Sequence, residues 1–308
     1  MGQLGVYVER YTISSSDDMN ALMRLSQVAR KLGHRVDFIF RPDMYKIAQY
    51  DAVYVRALTD PLNSAYVAAR TAEMYGIRVI DDPESIRVCC DKVNMYRHLL
   101  RADVPIPEVR IVNRSDISHP WAVRLLRELG SPVVIKAPNS SFSRHVERAE
   151  KPEEAVSIAR RFLRRADRIV AQRFVQSAFD WRVGVLGGEP LYVCQYVIPK
   201  RRWKILTHTP DGKTVHGPVK AVPLEMAPEG LIACALKAAN AIGRGLYGVD
   251  LKQIDDQYLV IEVNDNPTIN AGDEDHENGD IYERLIRFLL PSRTCHEHEA
   301  PHPVSHRA

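Results

Sequence analysis

Two apolar runs, Gly248-Val249-Asp250-Leu251 and Val260-Ile261-Glu262-Val263-Asn264-Asp265-Asn266-Pro267, flank a turn at Asp255-Asp256 and carry three oxygen-bearing side chains at their centre. Glu262 and Asn264 are two residues apart, the period of a β-strand, so both project from one face, and a hairpin brings Asp250 alongside them. An isolated pair of carboxylates is usually a solvated strand end. Here Val249, Leu251, Val260, Ile261 and Val263 surround the polar positions, and solvating the whole segment would expose all of them. Hard oxygen donors so placed suit a magnesium ion held jointly with phosphate oxygens.

Working outward, the pattern preceding this hairpin alternates strands and helices. The strand Leu4–Val8, a helix over 17–32 closed by Gly33 and the strand Val36–Phe40 form a βαβ unit. It repeats as Ala52–Val55, a helix over 63–75 closed by Gly76 and the strand Val79-Ile80, which predicts a small parallel sheet covered by helices. A boundary is expected at 83–89, followed by a helix over 91–100. Val104-Pro105-Ile106-Pro107 then forces an extended connection, since neither proline continues a helix. A second α/β unit follows: helix 121–129, strand Val133–Lys136, helix 152–165 and strand Ile169–Gln172. The third has a hairpin, Trp181–Leu186 and Leu191–Ile198 around Gly187-Gly188, then a helix over 230–242 and the hairpin Tyr247–Ile254/Tyr258–Val263. The expected domains are 1–85, 86–176 and 177–290. Residues 291–308, rich in His, Glu, Pro and Ser, are expected to form a disordered tail.

A chain of 308 residues with 45% apolar content can bury a substantial core. Charged residues make up 26% and the formal net charge is +3, so no strong field advertises nucleic acid or an acidic membrane as partner. Without a basic leader and without a run near the ~18 apolar residues of a membrane span, the protein reads as soluble and cytoplasmic. The five cysteines (Cys89, Cys90, Cys194, Cys234, Cys295) show no CxxC spacing and read as reduced structural thiols. No repeat of 20 to 50 residues is present, which argues against solenoids and propellers.

The hairpin segments resemble those of the ATP-grasp superfamily, within it the RimK-like branch of carboxylate-amine ligases, with a likeness to glutathione synthetases. The resemblance covers roughly 83–290. It implies an α/β fold with α+β lobes, an ATP-grasp fold preceded by a small parallel α/β domain in the place of the preATP-grasp domain. By the same resemblance Asp250, Glu262 and Asn264 hold magnesium, with manganese as an alternative. Lys92 and Lys136, each placing a cation beside a polyanion, contact ATP phosphates. Gln172-Arg173-Phe174-Val175 matches the segment between lobes whose backbone reads the adenine edge. Arg182 matches the arginine that stabilises the transferred phosphoryl group or acyl phosphate.

One segment departs from the family. Asn139-Ser140-Ser141-Phe142-Ser143-Arg144-His145-Val146 lies where a glycine-rich flap covers the phosphates, yet contains no glycine. Ser141 and Ser143, or Arg144 and His145, would have to replace the backbone amides. Lys200-Arg201-Arg202-Trp203-Lys204 reads as a loop facing an acidic substrate, and Asn270–Asp275 as a mobile loop facing the substrate. The clustered histidines of the tail (His296, His298, His302, His306) lack a scaffold for a metal.

The implied reaction activates a carboxylate on the γ-phosphate of ATP and displaces phosphate with an amine, an amino acid such as glutamate being one substrate. The partners are small carboxylates and amines, with a peptide or protein acceptor among the alternatives, and a homo-oligomer is in keeping with ATP-grasp relatives. Two other readings use the same residues: a regulatory or scaffold protein that binds nucleotide without turnover, and a kinase acting on a small molecule without ligation.

Overall fold

The computed structural model describes residues 1–139, 145–199, 202–208 and 214–291. The chain opens with β1 (Gln3–Tyr7), α1 (Arg10–Ser14), α2 (Ser16–Lys31), β2 (Arg35–Ile39), β3 (Ala52–Val55), α3 (Ser64–Met74) and β4 (Arg78–Ile80). The four strands form a parallel sheet in the order β2-β1-β3-β4. Local chemistry sets these boundaries: Ser15 caps α2 through the amide of Asp18, acids fill its first turn and Arg30 and Lys31 its last.

The segment 83–89, where a boundary is expected, forms the helix α4 (Pro83–Cys89). Asp82 accepts hydrogen bonds from the amides of Glu84 and Ser85, and Pro83 occupies the first helical position, where its missing N–H leaves no bond unmade. The helix α5 (Lys92–Arg101) follows after Cys90 and Asp91, the latter capping it.

The next unit contains β5 (Val109–Asn113), α6 (His119–Leu129), β6 (Val133–Lys136), β7 (Val146–Ala149), α7 (Pro152–Phe162) and β8 (Arg168–Arg173). Its antiparallel sheet runs β5-β8-β6-β7, with α6 and α7 packed on one face around Trp121, Leu125, Ile135, Ile158 and Phe162. Then come β9 (Phe179–Leu186), β10 (Glu189–Val197), the short pair β11 (Leu206–His208) and β12 (Thr214–His216), β13 (Val219–Val222), α8 (Glu229–Ile242), β14 (Leu246–Ile254), β15 (Gln257–Asp265) and α9 (Ile281–Leu289). The five-stranded sheet is ordered β13-β10-β9-β14-β15. Gly187 and Gly188 both take positive φ in the β9–β10 turn, as that tight hairpin requires.

Helix α9, to which the sequence pattern assigned nothing, ties the chain together. Its apolar face (Ile281, Leu285, Ile286, Leu289) shares one core with Leu4 and Val6 of β1, with Leu22 and Leu25 of α2, and with Leu186 and Tyr192 of the five-stranded sheet. A second core joins α5 and α8 to the opposite face of that sheet. The prolines at 105 and 107 lie in an extended segment whose Pro105 carbonyl accepts from the Val260 amide, so the connector abuts β15. No helix among the described residues is long and apolar enough to cross a membrane. Cys89, Cys90, Cys194 and Cys234 are unbridged, and Cys295 lies outside the described residues.

Candidate active site

Three adjacent strands present the polar cluster. Asp250 of β14 lies opposite Glu262 of β15 on one side and Arg182 of β9 on the other. The Arg182 guanidinium grips the Asp250 carboxylate with two parallel bonds, Nε to Oδ1 at 2.7 Å and Nη2 to Oδ2 at 2.8 Å. Only 16% of the arginine side chain and 13% of the aspartate are exposed, so water screens this fork poorly. Asn264 donates its amide nitrogen to Asp250 Oδ2 at 3.0 Å and to the Gly248 carbonyl at 3.2 Å, which leaves its Oδ1 as an acceptor without a hydrogen-bond donor among the described residues. Two glycines paired across β9 and β14 open the space around the arginine. A Cβ at Gly184 would lie 2.2 Å from the Tyr192 ring, and one at Gly248 would lie 2.8 Å from Pro267.

A second cluster adjoins through Glu262. Lys92, at the start of α5, reaches the Glu262 carboxylate at 2.7 Å and is 3% exposed. Lys136, at the end of β6, is buried and donates to the Tyr96 hydroxyl at 2.9 Å, with the Ile261 carbonyl at 3.4 Å. Gln172 donates to the same hydroxyl at 2.8 Å, and that hydroxyl donates to the Ile261 carbonyl at 2.5 Å. Burial pulls the Lys136 ammonium down to about 8, partly opposed by the charge of Glu262. Burial alone would raise Glu262, but Lys92 and Lys136 beside it hold its carboxyl below the ordinary value. Two carboxylates, Glu262 and Asp250, therefore lie side by side between the cations Lys92 and Arg182.

Solved structures share this architecture. A RimK-domain ATP-grasp protein from Sphaerobacter thermophilus superposes with a TM-score of 0.66 at 19% identity, covering 94% of this chain and 99% of that one. D-alanine–D-alanine ligase from Bacillus anthracis, in a complex with ATP, gives 0.67 at 16% identity, covering 94% and 96%. The chain has the ATP-grasp fold. Residues 214–289 also match the family model described as a RimK-like ATP-grasp domain. Among curated relatives, a "Probable alpha-L-glutamate ligase" of Thioalkalivibrio sulfidiphilus is 26% identical over 302 residues, covering 92% of this chain and 96% of that protein. One of Vibrio vulnificus is 25% identical over 296 residues, covering 90% and 93%.

On this ATP-grasp frame the remaining expected residues separate. Gln172 and Val175 are buried, but Arg173, next along β8, points outward to the Glu108 carboxylate at 2.8 Å and the Glu128 carbonyl at 3.1 Å. Strand alternation makes this unavoidable once Gln172 faces inward. Phe174 packs edge-on to Trp203 with ring centroids 6.1 Å apart, and Lys204 donates to the Val146 carbonyl, so the segment before β11 abuts β7. Ser141 and Ser143 lie outside the described residues. His145 sits with φ at 51° and its ring edge-on to Phe162. A cavity of about 640 Å³ opens beside the start of α5, lined by Asp91, Asn139, His145, Arg164 and Arg168 but not by Arg182 or Asp250.

The loop 270–275 is anchored by two of its acids rather than free. Glu274 is fully buried, accepting from the Tyr196 hydroxyl and from the Asn270 amide, and Asp275 pairs with Arg24. The Tyr196 ring in turn lies 4.8 Å from the Arg182 guanidinium. Tyr96 and Tyr196 escaped the sequence reading. The spacing of four from Lys92 to Tyr96, one helical turn, was the available signal for the first. For the second it was alternation from Tyr192 through Cys194, which pairs with Arg182.

Among the described residues no three His, Cys, Asp or Glu side chains converge as a metal site. Asn264 is bonded to Asp250, Glu262 lies opposite Asp250 on β15, and the open Oδ1 of Asn264 completes a set of hard oxygen donors of the kind a divalent cation takes.

Proposed function

We propose that this chain is an ATP-dependent carboxylate–amine ligase of the RimK-like kind, joining an amino acid such as glutamate to its acceptor through an acyl phosphate. The observation that carries the reading is the forked Arg182–Asp250 pair beside Glu262, itself set between the buried Lys92 and Lys136. Such a site holds fixed charges of both signs where a polyphosphate and its cation need them, and the names of the curated relatives point to the same chemistry.

In this proposal Asp250, Glu262 and Asn264 hold magnesium or manganese, which when bound neutralises phosphate charge. Lys92 and Lys136 face phosphate oxygens, and Arg182 faces the group in transfer. The backbone of 172–175 binds the adenine edge, and Ser141 and Ser143 belong to the phosphate flap. A substrate carboxylate oxygen attacks the γ-phosphorus as the bond to the ADP oxygen breaks. The amine nitrogen then attacks the acyl carbon, phosphate leaves and the nitrogen loses a proton. The division into 1–85, 86–176 and 177–290 belongs to the same proposal, as do a peptide or protein acceptor, a cytoplasmic setting and a homo-oligomer.

A second reading, binding without turnover, is favoured by one feature: Arg182 already engages both Asp250 oxygens. Magnesium-dependent ADP release from purified protein, measured with carboxylates and amines singly and together, separates the readings. Release that requires both partners and yields an amide supports the ligase. Release with one partner alone, leaving a stable phosphorylated product, or ATP binding without release in any pool, overturns it.

A further inference from the structure

The strand carrying Glu262 and Asn264 ends in a turn that the first α/β unit grips, with a buried arginine at the centre of the contact. Arg56, immediately after β3, is 8% exposed. Its Nη1 donates to Asn266 Oδ1 at 2.9 Å and to the Pro267 carbonyl at 3.1 Å, and its Nη2 pairs with Asp18 at 2.9 Å in the first turn of α2. Asn266 has a φ of 45°, a left-handed conformation that its short polar side chain tolerates when locally bonded. Its other donors are held by the first unit as well, Nδ2 by the Ala57 carbonyl at 2.6 Å and the backbone amide by Asp81 Oδ2 at 2.5 Å. Pro267 then packs against Gly248, on the strand beside Asn264.

We propose that Arg56 is a positioning residue that fixes the end of β15 and so presents Asn264 and Glu262 to the divalent cation, making the first α/β unit part of the metal site. The inference rests on the metal assignment proposed above. Three acceptors at separate positions need the planar fork of a guanidinium, which the single nitrogen of lysine cannot reproduce. Groups that orient metal ligands from behind usually change affinity about 10- to 100-fold when removed. A purely structural ion pair would lower stability and leave the metal affinity of the folded protein unchanged.

The test uses Mn²⁺·ADP as probe, with water-proton relaxation enhancement reporting the bound metal. The proteins are wild type, Arg56→Lys, Arg56→Met and Asn266→Gly, the last retaining the left-handed backbone while removing the side chain. Circular dichroism establishes folding, and calorimetry in EDTA gives the affinity for metal-free ADP. The expected result is at least tenfold weaker Mn²⁺·ADP binding for Arg56→Met and Asn266→Gly, an intermediate value for Arg56→Lys, and metal-free ADP affinity within twofold of wild type. Should Arg56→Met not fold, the other two variants carry the comparison. Folded variants that bind Mn²⁺·ADP like wild type, or lose metal-free ADP affinity by the same factor, overturn the positioning role. Wild type showing no enhancement overturns the metal assignment itself and the inference with it.

Discussion

Replacing Lys136 with methionine should make the nucleotide-free protein more stable while crippling it for ATP. The side chain is 4% exposed and its ammonium meets a phenol and a carbonyl rather than a carboxylate. Burial moves its pKa from 10.5 to about 8. At ~1.36 kcal/mol per pH unit, the charged form present at pH 7 costs the folded state about 3 kcal/mol. Methionine removes that cost and keeps the aliphatic stem, while the lost donor to the Tyr96 hydroxyl returns about 1 kcal/mol of instability. The net gain is about 2 kcal/mol, or ~4 °C in a thermal scan. The sign with pH follows from the folded pKa lying below the unfolded one. Between about 8 and 10.5 the unfolded chain binds more protons, so wild type gains stability as pH rises through that window and Lys136→Met does not. Melting both proteins at pH 7 and pH 10, with and without ATP, checks each part. Parallel pH profiles, or a variant less stable than wild type at pH 7, would refute the account of a buried ammonium whose desolvation the charge of Glu262 only partly offsets.

Glu262→Gln leaves Lys92 and Lys136 buried without their shared counter-charge, so metal-dependent ADP release should fall about a hundredfold or more and the melting temperature should drop, read by coupled assay and thermal scan. Arg182→Lys keeps the charge but not the fork on Asp250 or the contact with Tyr196, and kcat should fall about 10²- to 10³-fold with a smaller change in the nucleotide KM. Arg173→Ala removes a side chain bonded to Glu108 on the outer surface, and steady-state kinetics should find the nucleotide KM within about twofold of wild type.

What could be read in the sequence was whatever repeats over short distances. Alternation placed Asp250, Glu262 and Asn264 on one face, and the glycine pair at 187–188 marked a hairpin, because strand period and turn chemistry are local. The same alternation, applied one residue further, already turns the Arg173 side chain away from Gln172. Local signals were also left unused: Asp82-Pro83, where a boundary was expected, is a cap followed by a proline at the first helical position and begins a helix. Beyond reach were contacts between residues far apart in the chain, such as Lys92 with Glu262, Arg56 with Asn266 and Tyr196 with Glu274. No periodicity encodes which helix start meets which strand, since that depends on how the units dock.

Those distant contacts have a common form that bears on how the site would respond to substitution. Four buried charges are each held by an opposite charge or by a hydroxyl that is itself fixed: Arg182 by Asp250 and Tyr196, Glu262 by Lys92, Lys136 by Tyr96, and Arg56 by Asp18. Removing one member leaves its partner buried and unmatched, and that penalty exceeds the net contribution of the intact pair. Single neutralisations should therefore look more damaging than the contacts they delete, and paired replacements, such as Arg182 and Asp250 together, less damaging to stability than either alone. Lys136 is the exception because its partner is a neutral phenol, so among the described residues its ammonium has no directly bonded anion. Stability lost to the free ammonium would be regained on binding phosphate, a direct route by which this chain could exchange folding free energy for affinity.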